Sequence, residues 1–371
     1  MKRSLRFFIT AGFVMLFGAW AEAQVREGEG VEAPGTPEQL AVEQVAAKKQ
    51  PISVHFNVRV DWENHLTDLG DSVGYESAFS GKYINFMLNG NISDKFSYHF
   101  RYRFNKITSF GEFFNAVDWA YLDYDINPNW RVSAGKQMVY IGGFEYDYAP
   151  IDVYFWSGAN ENITCYEMGV SGQYTTNDGR NTFVAQITNS PFSSRSFRFE
   201  NMYAYNLAWY GNYGVYRSIW SVNMMNYARG KFVNYIALGN RFNIGSVLAV
   251  ELDYVNRYYL GQGSFFGDFS LIGNLIINIK NRANIFVKGG FDYNDTGNDD
   301  VLVGVPVFWP AEGIVPSKSG YIGAGAEFFP LKNSKDIRLH AYWTTNNRAD
   351  NFKSHTVAVG FTWLLRAFQR N

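Results

Sequence analysis

KFSYHFRYRFNK, residues 95–106, carries Phe96, Tyr98, Phe100, Tyr102 and Phe104 at every even position, and Ser97, His99, Arg101, Arg103 and Asn105 at every odd one. Successive side chains of a strand point to opposite faces, so this alternation predicts a β-strand. One face is an aromatic wall; the other holds two guanidinium groups and an imidazole. Such a strand asks for an apolar medium on one side and water or ions on the other.

The whole chain repeats this mixture. Of its 371 residues 47% are hydrophobic and 18% aromatic, yet the mean hydropathy is only −0.22, because the aromatics are interleaved with polar residues. The N-terminus has Lys2, Arg3 and Arg6, then an apolar run from Phe7 to Trp20, then Ala21-Glu22-Ala23 as a small-x-small cleavage site. That pattern reads as a secretory signal peptide over residues 1–23. The apolar run is short for a membrane-spanning helix, and no later run reaches the ~18 apolar residues such a helix needs. With the signal removed, 30 basic and 33 acidic residues remain, a net charge near −3, which gives nucleic acid no reason to bind. Cys165 is the only cysteine, so the chain holds no internal disulfide and no thiolate metal site.

Residues 24–51 lack aromatics and are rich in Glu, Ala, Gln, Gly and Pro; they read as a periplasmic N-terminal extension. From Ile52 to the end at Asn371 the hydrophobic period is two. ISVHFNVRVDW sets Ile52, Val54, Phe56, Val58, Val60 and Trp62 against His55, Asn57, Arg59 and Asp61. Similar segments recur to a total of about sixteen strands. Every second connection is short and made of turn residues, such as NISDK, INPN, TTNDGRN and FNIGS. Most of the intervening ones are longer, including 64–79, 139–163 and 293–319. Short turns on one side and long loops on the other describe an outer-membrane barrel, with turns in the periplasm and loops outside. A barrel also satisfies every backbone polar group between neighbouring strands, as hydrocarbon requires. The fold class expected is therefore all-β: a transmembrane antiparallel β-barrel of about sixteen strands over residues 52–371, contacting outer-membrane lipid. A secreted β-sandwich or propeller is the competing class, and it leaves the loop asymmetry unexplained.

DWAYLDYDINPNWRVSAGKQ, from Asp118 to Gln137, followed by GGFEYD from Gly142 to Asp147, resembles the phosphate-selective porin O and P family of outer-membrane channels. An aromatic strand, a tight turn, a strand ending in GKQ and a long glycine-led loop make that family's pattern. The resemblance implies a sixteen-stranded, trimeric barrel with a loop folded into the lumen, located in the bacterial outer membrane. It implies passage of small hydrophilic solutes or anions.

That loop, Tyr140 to Asn162, is rich in aromatic residues that a purely solvated connection would not need. Folded inward as a constriction loop, it brings Glu145, Asp147 and Asp152 into the lumen; packing across a neighbouring subunit is the other reading. Strand parity assigns Arg59, Arg101, Arg103, Arg131, Arg217, Lys288 and Arg338 to the water side. Arg59, Arg101, Arg103 and Arg131 then form a basic strip facing the acidic loop, a transverse field of the kind that selects ions in channels. Ordinary hydrated lumen charge is the plainer reading of the same residues. The function expected is passive diffusion with a weak anion preference, and the sequence asks for no cofactor. A phosphate-type anion channel is the alternative, and a non-conducting adhesin or hydrolase comes after it. The five histidines show no metal-ligand spacing, and no nucleophile–histidine arrangement stands out. DYNDTGNDD, 292–300, reads as a solvated outer loop, with a calcium site as the lesser alternative.

Overall fold

The computed structural model of the chain describes residues 52–68, 72–106, 115–161, 163–193, 201–280, 282–294, 318–349 and 352–370. The expected signal peptide and N-terminal extension lie outside them, as does most of 292–300.

Sixteen strands form the wall. The first eight are β1 (Ile52–Asp68), β2 (Val73–Asn91), β3 (Phe96–Arg103), β4 (Val117–Asp125), β5 (Trp130–Met138), β6 (Tyr166–Thr175), β7 (Asn181–Asn189) and β8 (Tyr203–Asn212). The second eight are β9 (Tyr216–Ala228), β10 (Lys231–Ile244), β11 (Leu248–Tyr259), β12 (Asp268–Ile279), β13 (Ala283–Asn294), β14 (Lys318–Phe328), β15 (Ile337–Ala349) and β16 (Phe352–Arg370). Each pairs with its sequence neighbours, and β1 closes the barrel against β16, antiparallel, from Ile52 opposite Arg370 to Thr67 opposite Ser354. Closure removes both sheet edges.

Parity holds around the wall. Along β8, Tyr203, Tyr205 and Leu207 point out and are exposed, while Ala204, Asn206, Ala208 and Tyr210 point in and are buried. The exposed outer side chains, among them Leu252, Ile322, Val359 and Phe361, make the apolar band that lipid covers. Beside the short turns Trp130 packs on Tyr174 and Trp209 on Trp220, with ring centroids 4.9 and 5.0 Å apart, as suits an interfacial girdle. Those turns use local chemistry: the Asn127 side chain accepts from the amides of Asn129 and Trp130, and Gly214 and Gly245 sit at φ 77° and 61°.

One expected loop is a hairpin instead. Residues 64–79 mostly extend β1 and β2, which pair from Leu66–Tyr75 down to Ser53–Asn89. The alternation of GYESAFSGKY continues the strand, and its small polar residues mask the apolar contrast that marks strands elsewhere.

Two bulges aim charge inward. Opposite β3, Arg101 pairs with Trp119 and Tyr102 with Val117, so Asp118 is the extra residue on β4. Opposite β1, Arg59 pairs with Tyr83 and Val60 with Gly81, which leaves Lys82 as the extra residue on β2. A bulge re-aims the side chain it inserts. Here both inserted side chains reach lumen partners: Asp118 reaches Arg101, and Lys82 lies 2.5 Å from Glu63.

Candidate functional site

The connection from β5 to β6, residues 139–165, folds into the barrel. It holds two single-turn helices, α1 (Phe144–Asp147) and α2 (Gly158–Glu161), with a tight turn at Pro150–Asp152 between them. Val139, Ile141, Tyr146 and Ile163 join an apolar cluster with Ala204, Met225, Val233, Tyr235, Ala237 and Val255 of β8–β11. Phe144 joins a second with Val184, Ala208, Tyr210 and Ile219. Inward residues that meet these side chains, such as Ala204, Ala208, Val233 and Ala237, are small or apolar because a loop, not water, covers them. Each fully buried apolar side chain of the loop contributes roughly 1.5–3 kcal/mol as an upper bound.

Close approach depends on glycine. A Cβ on Gly239 of β10 would lie 2.7 Å from the Gly143 Cα, and Gly143 itself sits at φ 112°. Only two glycines back to back let the loop lie this near the wall. The Gly143 amide then donates to the Ile219 carbonyl at 3.0 Å.

Polar contacts fix the remaining length. The Asp253 carboxylate accepts from the amides of Phe144 and Glu145, each at 2.9 Å. Glu145 accepts from the Ser157 amide at 2.8 Å, from the Ser157 hydroxyl and from the Asn160 side chain, and lies 2.5 Å from the Lys288 ammonium. Tyr148 donates to Glu251, and burial beside that carboxylate pushes its phenol well above the ordinary tyrosine range. Arg59 donates to the carbonyls of Ile151 and Val153 at 3.2 and 2.9 Å, and Lys288 to that of Phe155 at 2.6 Å. Asp152 lies 2.7 Å from Arg338. Tyr154 and Phe155 pack on Phe286 and Tyr342, and burial raises the Tyr154 phenol as well. Tied from β9 round to β1, the loop is a fixed constriction.

All seven basic residues read from the sequence sit on inward positions of the wall, but not as one strip facing the loop's acids. Arg59, 1% exposed, forms a pair with Asp61, which also meets His340 at 2.8 Å. Arg101 and Arg103, 2% and 8% exposed, share Asp118, at 3.0 and 2.8 Å. Arg101 is further held with its guanidinium 3.6 Å from the Trp119 ring centroid, and it donates to the Tyr166 hydroxyl. Arg131 lies 2.7 Å from Asp125 and 3.4 Å from Asp123. Arg217 is buried with its guanidinium 6.0 Å from the Phe144 ring. Of the loop acids, Glu145 and Asp152 are taken by Lys288 of β13 and Arg338 of β15, not by Arg101 of β3, and Asp147 is buried within α1. Desolvation explains the difference. A carboxylate pressed against the wall must be paired, and the cation within reach there is Lys288.

The decisive partner missed from sequence is Asp118. Three cations converge on it, Arg101, Arg103 and Lys106, which lies 2.9 Å away, so the cluster keeps a surplus of two positive charges. Lys106, its side chain 39% exposed, presents that surplus to water. Elsewhere on the wall, Arg131 between Asp123 and Asp125 on the neighbouring strand, and Arg338 between Asp152 and Glu327, carry the opposite surplus. A signal for Asp118 did exist. Asp118 and Asp123 are five apart and so fall on opposite faces of a regular strand, and only a bulge between them brings both inside.

The structure is similar to many solved structures, among them the following three. The anion-selective porin from Comamonas acidovorans aligns with a TM-score of 0.57 at 10% identity, over 85% of this chain and 100% of that one. The trimer form of OmpT, an outer membrane protein of Vibrio cholerae, gives 0.51 at 11% identity, over 84% and 100%. OccK11 (OpdR) of Pseudomonas aeruginosa gives 0.50 at 10%, over 86% and 98%. At these identities the likeness is one of fold. No curated protein is significantly similar to the chain in sequence. Family membership comes from the sequence pattern itself, since the model of the phosphate-selective porins O and P matches residues 52–267, more than half of the chain. Sixteen strands, an inward-folded third loop and that match together make this chain an outer-membrane channel of the phosphate-selective porin O and P family.

Proposed function

We propose that the porin passes small hydrophilic solutes by passive diffusion with a weak preference for anions, and does no catalysis. The observation that carries this reading is the Asp118 cluster, where three cations share one carboxylate and Lys106 reaches the water. An entering anion meets a net attraction there, and salt screens it over a Debye length of ~10 Å at 0.1 M. The preference is weak because most of the other inward cations, among them Arg59, Arg131, Lys288 and Arg338, have carboxylate partners. Tight phosphate selection, the lesser reading, calls for cations free to take up the ligand's charge. In this reading the seven basic residues act by shaping the field and holding the loop. Threefold assembly is part of the proposal, supported by the trimer form of the Vibrio cholerae protein; so is removal of residues 1–23 on export. The test is the reversal potential under a KCl gradient. Replacing Arg103 and Lys106 together with Gln should move it toward cations, most at low salt. An unmoved potential would remove the anion preference.

A further inference from the structure

On the loop side of the constriction, between the inserted loop and β14, β15, β16 and β1, lies a cavity of about 220 Å³. Six rings wall it: Tyr154, Phe155 and Trp156 from the loop, Tyr321 from β14, Tyr342 from β15 and the imidazole of His65 from β1. Its polar lining is nearly neutral. Glu63 has its charge met by Lys82 at 2.5 Å and accepts the Tyr342 hydroxyl at 3.1 Å. Thr344, Asn346 and Thr356 supply hydroxyl and amide groups. Arg59 and Arg338 come within 4.7 and 5.7 Å of the Tyr154 ring, yet neither lines the cavity.

From this lining we infer that the cavity is a binding site for one neutral sugar ring. A phosphate or carboxylate would find no lysine or arginine in the lining, and the His65 imidazole there is already engaged, 3.0 Å from the Thr356 hydroxyl and 3.8 Å from Glu63. A compact cation would find its carboxylate already matched. The rings call for a ligand with a flat apolar face, since aromatic faces are electron-rich and attract polarised C–H groups. The amide and hydroxyls call for a rim of hydroxyl groups. A pyranose offers both on one small body. The cavity is below the ~300–1,000 Å³ of sites for drug-sized ligands, a size that suits a single ring. The site's use in uptake rests on the channel reading; binding itself does not need conduction.

Saturation-transfer NMR on the full chain in detergent, with methyl β-D-glucopyranoside, D-sorbitol and adenosine as probes and inorganic phosphate as a competitor of the glucoside, tests the site. The glucoside should bind saturably through its ring protons, with sorbitol, which has no ring face, showing no transfer. Trp156→Ala and Asn346→Ala should each raise the glucoside Kd about fivefold or more, as the loss of one ring contact or one hydrogen bond does. Equal binding of sorbitol, stronger binding of adenosine, displacement of the glucoside by phosphate, no transfer to the glucoside, or both variants binding like the parent would overturn the inference. Bilayer recordings on the same preparation separate the two readings. A chain that conducts without binding the glucoside loses the site alone. One that binds without conducting keeps the site and loses the channel.

Discussion

Glu145 of the inserted loop and Lys288 of β13 meet at 2.5 Å inside the barrel, both nearly shielded from water. The pair joins a segment that starts at β5 to the opposite wall. Breaking one partner of such a buried pair costs about 3–5 kcal/mol, because the remaining charge is stranded. Sixteen paired strands hold the barrel independently of that contact. Glu145→Gln should therefore leave the heat-modifiable gel mobility intact and make single-channel current larger and noisier. A variant with the parent's conductance and noise would show that the loop does not set the constriction.

Gly239 offers a steric test of the same loop. A methyl group there would press on the Gly143 Cα, a backbone atom with no rotamer to yield. Gly239→Ala should lift the start of the loop and expose Phe144, Tyr146 and Tyr148. Brief chymotrypsin treatment in detergent should then cut within 139–165 in the variant and not in the parent. Equal resistance would mean that the wall itself gives way.

Asp118 sets a sign. Asp118→Asn leaves Arg101, Arg103 and Lys106 without their shared anion. The reversal potential should shift toward anions, opposite to the shift from removing Arg103 and Lys106, and the thermal midpoint of the barrel should fall. Shifts of the same sign would refute the charge surplus assigned to this cluster.

Alkaline pH tests the burial of the loop. The phenols of Tyr148 and Tyr154 are raised above the ordinary value of 10.0, chiefly by burial. A group raised on folding contributes stability that is full below its unfolded pKa and is lost as pH rises through its folded one. Loop packing should accordingly be constant to about pH 10 and weaken above it. In a spectrophotometric titration, the parent and the double variant Tyr148→Phe, Tyr154→Phe should coincide below that range and diverge only beyond it. Divergence below pH 10 would place these phenols in water.

Strand parity made the wall legible. Along β3, Phe96 is exposed and Arg101 and Arg103 are buried inward because a period of two admits one answer once lipid and water are assigned. Tyr102 is covered as well, and Phe104 falls in the turn after the strand. The inserted loop was legible from its rings, since Phe144 and Tyr146 needed apolar neighbours that β8 to β11 provide. Ion partners were not legible. Arg101 and Glu145 lie on segments whose relative placement depends on two facing glycines and on a bulge, neither of which appears in an alternating pattern. The first hairpin was misjudged for a related reason: Ser77, Ala78, Ser80 and Gly81 carry too little contrast to mark a strand.

Single-channel recording of the purified full chain in planar bilayers tests the central reading most directly. A porin with a fixed loop should insert in discrete steps, stay open over long periods, and show a reversal potential tilted slightly toward anions at low salt and near zero at high salt. A correctly folded, heat-modifiable barrel that inserts and yet gives no stepwise current in either salt regime would contradict it.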